Sequence, residues 1–207
     1  MTPTLDHVIL AVRDLEAVAV ELRDELGLEA RRGGRHPGWG TGNRIVSLGP
    51  ATYLEVVAVH DARAASATPF GRLVQEASKD GHGLAAWAVA VSEDELEAHA
   101  ARLGLEITRH ERPRPAGGML RWRLAGLERA IAEPLLPFFL AWDDPDVHPA
   151  RDAAPPAGSL KRLELSGDAA ALAAWLGPND LPVRVSPGPP AVSRVVLRTR
   201  YGEHTLP

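Results

Sequence analysis

The chain has 207 residues, 45% apolar and 24% charged, with a formal net charge of −4 at pH 7. That is ordinary for a globular protein and enough for one large domain or two small modules sharing a core. The acidic balance offers no footprint for nucleic acid, and the absence of cysteine removes disulfides, thiol nucleophiles and zinc–thiolate sites. No segment is long or apolar enough to span a membrane and no signal-peptide pattern opens the chain, so the expected compartment is the cytoplasm.

Leu5–Val12 reads as a strand, with His7, Ile9 and Ala11 on one face and Val8, Leu10 and Val12 on the other. A helix follows from the N-cap Asp14, with Leu15, Val18, Ala19, Leu22 and Leu26 on one stripe and Gly27 as its stop. Strands are expected at Leu28–Arg32, Asn43–Leu48 and Thr52–Val59, and a linking helix within 68–80. Leu84–Val91 then opens a second copy. Ser92 and Glu95 form a capping box, Leu96, Ala100 and Leu103 the stripe, and Gly104 the stop. Its strands are Leu105–His110, Met119–Leu124 and Leu135–Trp142, and the basic run Arg109–Arg114, broken by Pro113, reads as a solvated loop. A third, shortened copy begins at Leu160, with Asp168 as cap, Leu172, Trp175 and Leu176 buried, and Gly177 as stop. Strands at Val183–Ser186 and Val192–Thr199 and a weaker run at Tyr201–Leu206 complete it. Joints rich in Pro fall at Asp152–Gly158 and Pro187–Pro190. Strand, capped helix and terminal glycine recurring three times argue for internal duplication. The expected architecture is α+β, with tandem βαβββ modules at about 4–62 and 83–144 in a unit of 1–150, and a partial βαββ unit at 151–207 packed on it.

His7 on the first strand and Glu55 on the fourth are metal-capable side chains on faces that are otherwise apolar. In one βαβββ unit they converge on one side of a curved sheet. Aligning the copies puts Ala86 and Leu160 at the place of His7, and Phe138 at the place of Glu55. Serine-hydrolase, zincin and dinucleotide-binding motifs are missing.

The pattern resembles the vicinal oxygen chelate superfamily, and within it the glyoxalase-like group. The residues that carry the resemblance are Gly33-Gly34-Arg35-His36-Pro37-Gly38-Trp39-Gly40-Thr41-Gly42-Asn43, Leu120–Leu124, Leu136–Phe139 with Trp142, and His148-Pro149. It implies paired βαβββ modules curled into a cup, to which the residues after Leu160 add a third partial module at the C-terminus. It also implies one divalent metal (Mn, Fe, Ni or Zn) held by His7 and Glu55, and lyase, isomerase or oxygenase chemistry on a small oxygenated molecule. Because a catalytic cup of the superfamily draws ligands from both modules, Ala86 and Phe138 depart from the pattern, and glyoxalase I activity itself is not expected.

Four readings of His7 and Glu55 stay open: a weak metal site completed by His36 or another loop residue, a pair that hydrogen-bonds each other and a ligand without metal, a metal-free acid/base pair, or a solvated relic. Glu55 and His36 are the candidate catalytic residues. Trp39, Arg44, Trp122 and Phe138 are the candidate substrate contacts, and Thr41 and Asn43 anchor the Gly-rich loop. Arg121 and Arg123 share one face of their strand and Trp122 the other. If the arginines line the cup the ligand is an anion, and if Trp122 lines it the ligand is apolar. The competing functions are metal-free binding of a small molecule and a structural module, with a homodimer as the expected partner arrangement.

Overall fold

The computed structural model describes residues 2–114, 117–152 and 155–207. The first module runs β1 (Thr4–Val12), α1 (Leu15–Leu26), β2 (Arg31–His36), β3 (Thr41–Gly49) and β4 (Thr52–Val59). Two short helices, α2 (Ala62–Ser66) and α3 (Pro69–Ala77), lead into the second. That module runs β5 (His82–Ala90), α4 (Glu93–Leu103), β6 (Ile107–Pro113), β7 (Met119–Ala125), α5 (Leu127–Ala132) and β8 (Phe138–Trp142). After α6 (Pro149–Asp152) come β9 (Gly158–Ser166), α7 (Ala169–Leu176), β10 (Val183–Ser186), β11 (Ala191–Thr199) and β12 (Gly202–Leu206).

The helix boundaries follow their local signals. Asp14 accepts hydrogen bonds from the Glu16 and Ala17 amides and Gly27 caps the C-terminus in the left-handed region. Ser92 and Glu95 form the reciprocal capping box of α4. Asp168 accepts from the Ala170 amide at the start of α7.

Eight strands form one curved sheet in the order β2-β3-β4-β1-β5-β8-β7-β6. Each module contributes four, and the two halves join where β1 and β5 pair antiparallel, His7 opposite Ala88 and Ile9 opposite Ala86. This is a near two-fold arrangement. Ile9 faces Glu55 across the parallel pair β1–β4, and Ala88 faces Phe138 across β5–β8, so Phe138 does stand where Glu55 stands in the first module. The edges β2 and β6 approach each other and nearly close the sheet.

The sheet separates two cores. On its convex side, α1, α4 and the C-terminal unit cover Val8, Leu10, Leu54, Val56, Trp87 and Phe139. On its concave side, Phe70 and Val74 of α3 and Ala130 of α5 pack over Ile9, Ala11, Val57, Ala86 and Leu140. They fill one end of the concavity and leave the His7 end open.

The C-terminal unit repeats the order of elements but not their pairing. Its four-stranded sheet runs β10-β9-β11-β12, so its first strand lies beside its second, whereas in the two modules the first strand lies beside the last. Leu163, Leu165 and Leu197 from this sheet are each at most 1% exposed in the convex core. At ~1.5–3 kcal/mol for each fully buried aliphatic side chain, this packing makes the unit part of the fold. The joint expected at Asp152–Gly158 contains residues 153 and 154, which lie outside the described residues. No helix among the described residues is long and apolar enough to cross a membrane.

Two segments differ from expectation. The Gly-rich stretch is not a long loop: β2 begins at Arg31 and runs through the glycines to His36, and one 3-10 turn (Pro37–Trp39) connects it to β3. The supposed solvated run at Arg109–Arg114 is mostly strand, because β6 extends to Pro113. Pro113 is tolerated as the last residue of an edge strand, where no ladder donor is needed.

Candidate functional site

The open end of the concavity is a small cup of ≈ 50 Å³. Its polar wall comes from the first module: His7 on β1, Asn43 on β3, and Tyr53 and Glu55 on β4. The opposite wall comes from the second module and is apolar, built from Leu120, Trp122, Phe138, Leu140 and Trp142. His36 and Trp39 stand at the rim, with Phe70 behind Trp39 at 4.8 Å between ring centroids.

His7 is held from behind by Asp6, which is fully buried. Strict alternation would aim Asp6 at the opposite face of the sheet. The β1–β5 register slips between Leu5 and His7, however, and leaves Asp6 as the extra residue of a bulge. Its carboxylate collects three donors. The His7 Nδ1–H donates to Oδ1 at 2.6 Å, and the Trp142 Nε1–H and His148 Nε2–H donate to Oδ2 at 2.8 and 3.1 Å. The tautomer of His148 is fixed from its other side, since its Nδ1 accepts from the Ala150 amide at 3.1 Å. Burial pushes the Asp6 pKa up, but the hydrogen bonds from His148 and His7 outweigh it and hold the carboxyl well below the usual carboxylate range.

With its Nδ1 committed to Asp6, His7 presents Nε2 to the cup, 3.6 Å from Glu55 Oε2. Tyr53 stacks on its ring at 4.7 Å and Phe138 meets it edge-on at 5.5 Å, so the imidazole is fixed on both flanks. Burial opposes protonation of His7, but the bond to Asp6 and the charges of Asp6 and Glu55 prevail and raise its pKa above 6.5. Burial and the neighbouring Asp6 and Glu55 charges also raise the Tyr53 pKa well above 10.0, so this phenol stays neutral.

Glu55 is aimed by Asn43, whose side-chain amide donates to Oε1, while the Gly34 amide donates to Asn43 Oδ1 at 2.6 Å. This explains the double glycine. A Cβ on residue 33 would stand 2.1 Å from Asn43 Oδ1, and one on residue 34 would stand 2.8 Å from Arg112 Nη1. Only glycines let Asn43 and Arg112 come this close to β2.

At the rim, His36 Nδ1 lies 3.1 Å from Thr41 Oγ1. Burial lowers the His36 pKa to about 4, opposed by Glu55 and aided by Arg112, so the ring is neutral at pH 7.

Of the residues expected at the site, His7, His36, Trp39, Glu55, Trp122 and Phe138 share this cup. Arg44 does not reach it: the side chain lies on the convex face, bonded to Glu16 and to the Ala30 carbonyl. The ambiguity on β7 resolves in favour of Trp122, which faces inward. Arg121 pairs with Glu111, and Arg123 pairs with Glu93 and Glu97 of α4. Sequence reasoning missed Asp6, Tyr53, Trp142, Arg112 and the structural role of His148. The adjacency of Asp6 to His7 was the one local signal available.

The donor set does not suit the divalent metal that the superfamily pattern implies. His7 Nε2 and Glu55 are the two donors that meet, His36 lines the cup without converging with them on a three-residue site, one Glu55 oxygen is already engaged by Asn43, and the facing wall is hydrocarbon and indole. Among the described residues no three His, Cys, Asp or Glu side chains converge as a metal site, and a divalent site built from protein normally takes three or four.

Comparison with known proteins bears on the family. The model of the glyoxalase-like domain matches residues 5–179. Among solved structures, methylmalonyl-CoA epimerase from Mycobacterium tuberculosis is similar with a TM-score of 0.46 and 19% identity, over 67% of this chain and 85% of that one. A variant of Streptomyces coelicolor methylmalonyl-CoA epimerase, in complex with 2-nitronate-propionyl-CoA, gives 0.46 and 17%, over 69% and 96%. The hypothetical protein BH1468 from Bacillus halodurans C-125 gives 0.47 and 16%, over 69% and 94%. A search among curated proteins found no match. The match over 5–179 settles the family: the chain belongs to the glyoxalase-like domain family of the vicinal oxygen chelate superfamily.

Proposed function

We propose that the cup is a metal-free acid/base site that moves a proton on a small carbonyl compound, an isomerase- or lyase-type reaction. The observation that carries this is the Asp6–His7–Glu55 line, in which a buried carboxylate fixes one ring nitrogen and leaves the other 3.6 Å from a second carboxylate.

In this reading Glu55 takes the proton from the carbon next to the carbonyl. Protonated His7 donates from Nε2 to the carbonyl oxygen, where negative charge develops as the C–H bond breaks. Asp6 holds the imidazolium in orientation throughout, as carboxylates do behind catalytic histidines. Return of the proton from Glu55 to carbon, with His7 Nε2 taking its proton back from the oxygen, completes the turnover. Neutral His36 and the indole of Trp39 shield the rim, and Asn43 keeps Glu55 pointing inward.

The test is hydrogen–deuterium exchange in D₂O, followed by proton NMR, on small ketones, 2-oxo acids and aldehydes with protein stripped by EDTA. Exchange that survives EDTA and falls at least ~100-fold in Glu55→Gln, within the ~10²–10⁴ range for one general base, supports the reading. Exchange that appears only after Mn, Fe, Ni or Zn is restored overturns it in favour of a metal-assisted site. Saturable binding without exchange favours a binding protein, a role consistent with the aromatic second-module wall.

A further inference from the structure

We infer that the ligand of this cup is a carboxylate, and that Arg112 is the residue that binds it. This rests on the proton-transfer reading for the location of the reacting carbonyl, but not for the anion site itself.

Arg112 lies on β6 opposite Leu120, on the same face as the inward-facing Trp122. It is only 6% exposed. Its guanidinium makes one hydrogen bond, a long one of 3.3 Å from Nη1 to the carbonyl of its own neighbour Pro113. Among the described residues no carboxylate comes within ion-pair distance of it. The contrast with Arg123 is instructive. That arginine is also buried, at 8% exposure, and has two glutamates. A buried guanidinium without a counter-ion costs several kcal/mol, and β2 provides room for this one only because residue 34 is glycine. A planar fork of donors facing a cavity is the geometry that takes a carboxylate in a bidentate grip.

The position suits that role. Arg112, His36, Trp39 and Trp122 line both the cup and a second hollow of ≈ 250 Å³ at the seam between β2 and β6. Arg35 and Arg109 border the same hollow and have no acidic partner among the described residues, while its one glutamate, Glu111, is engaged by Arg121 at 3.0 Å. A protein of net charge −4 therefore presents a positive mouth to its active cup, which draws in anions. The ligand would set its carboxylate on Arg112 at the seam and extend its carbonyl carbon toward His7 and Glu55.

Pyruvate and pyruvamide, equal in size and differing in charge, test this. Their binding is followed by the fluorescence of Trp39, Trp122 and Trp142. Pyruvate should bind at least tenfold more tightly than pyruvamide. Arg112→Gln should abolish that preference, with a wild-type circular-dichroism spectrum showing that the variant folds, and Arg112→Lys should keep part of it. Equal affinities, a preference that survives in Arg112→Gln, or no binding of either probe overturns the inference. Pyruvate preference without C–H exchange sinks the proton-transfer reading and leaves this one standing. Exchange on neutral ketones without pyruvate preference does the reverse.

Discussion

Replacing Asp6 with Asn probes the most demanding part of the site. The carboxylate accepts three bonds while fully buried. Asn is the same size but has one oxygen, and His148 and Trp142 can only donate, so the amide oxygen must stay with them. The amide nitrogen then faces His7 Nδ1 and forces the ring into the tautomer with its proton on Nε2. All three contacts survive as neutral bonds. Bonds to a charged group contribute ~1.5–3 kcal/mol and neutral ones ~0.5–1.5, so the loss is about 1 kcal/mol per bond and about 3 kcal/mol in total.

The pH dependence of that loss has a definite form. The Asp6 contribution is present above its ordinary 3.8 and fades as pH falls toward its lowered folded value. The His7 contribution is complete below 6.5 and is lost as pH rises through its raised folded value. The gap between wild type and Asp6→Asn should therefore be widest between 3.8 and 6.5. Urea unfolding at pH 3, 5 and 8 measures it, with an unchanged m-value showing that the unfolded states are comparable. Long-range ¹⁵N–¹H spectra report the His7 tautomer. A loss under ~1 kcal/mol at pH 5, with the proton still on Nδ1, would refute the account of Asp6 and the mechanism built on it.

Gly33→Ala should cost about 1–3 kcal/mol by driving a methyl group into Asn43. Gly38→Ala, with nothing within 4 Å of the added carbon, should be neutral or stabilise by ~0.4–1 kcal/mol; thermal melts of the two side by side decide. His36, neutral in the fold with its pKa lowered from 6.5 to about 4, should make stability fall as pH drops through that interval. The effect amounts to about 3 kcal/mol at ~1.4 kcal/mol per pH unit, and His36→Gln should flatten the slope in melts at pH 4.5 and 7.5. Trp122→Ala should weaken ligand binding at least tenfold by removing part of the inner wall, whereas Arg121→Ala, on a side chain 56% exposed, should leave titrations unchanged. If Arg121→Ala weakens binding and Trp122→Ala does not, the inward face of β7 is the other one.

Much of this architecture was written in local signals. Asp14, Gly27, Ser92, Glu95, Gly104 and Asp168 mark helix ends because capping acts within four residues. The convergence of His7 and Glu55 followed from alternation along two adjacent strands. The same rule hid Asp6, because a bulge breaks the alternation at that residue. Arg112 was lost because Pro113 suggested a loop, when an edge strand can end on proline. The face of Trp122 was undecidable, since a period of two reads the same in either phase. The pairing of β9 with β10 was equally beyond reach: local pattern specifies strands, while long-range packing decides which neighbour each one takes.

The near two-fold joint between β1 and β5 has a consequence for how such a cup can change over generations. The two halves present equivalent walls, and His7 and Glu55 stand on only one of them. The other, centred on Phe138, Leu120 and Leu140, is apolar and can change in size and shape while the His7–Glu55 wall is untouched. New specificities in this lineage should therefore arise by substitution in the second half of the chain. A laboratory library confined to those three positions should retune ligand preference without disturbing the Asp6–His7–Glu55 alignment.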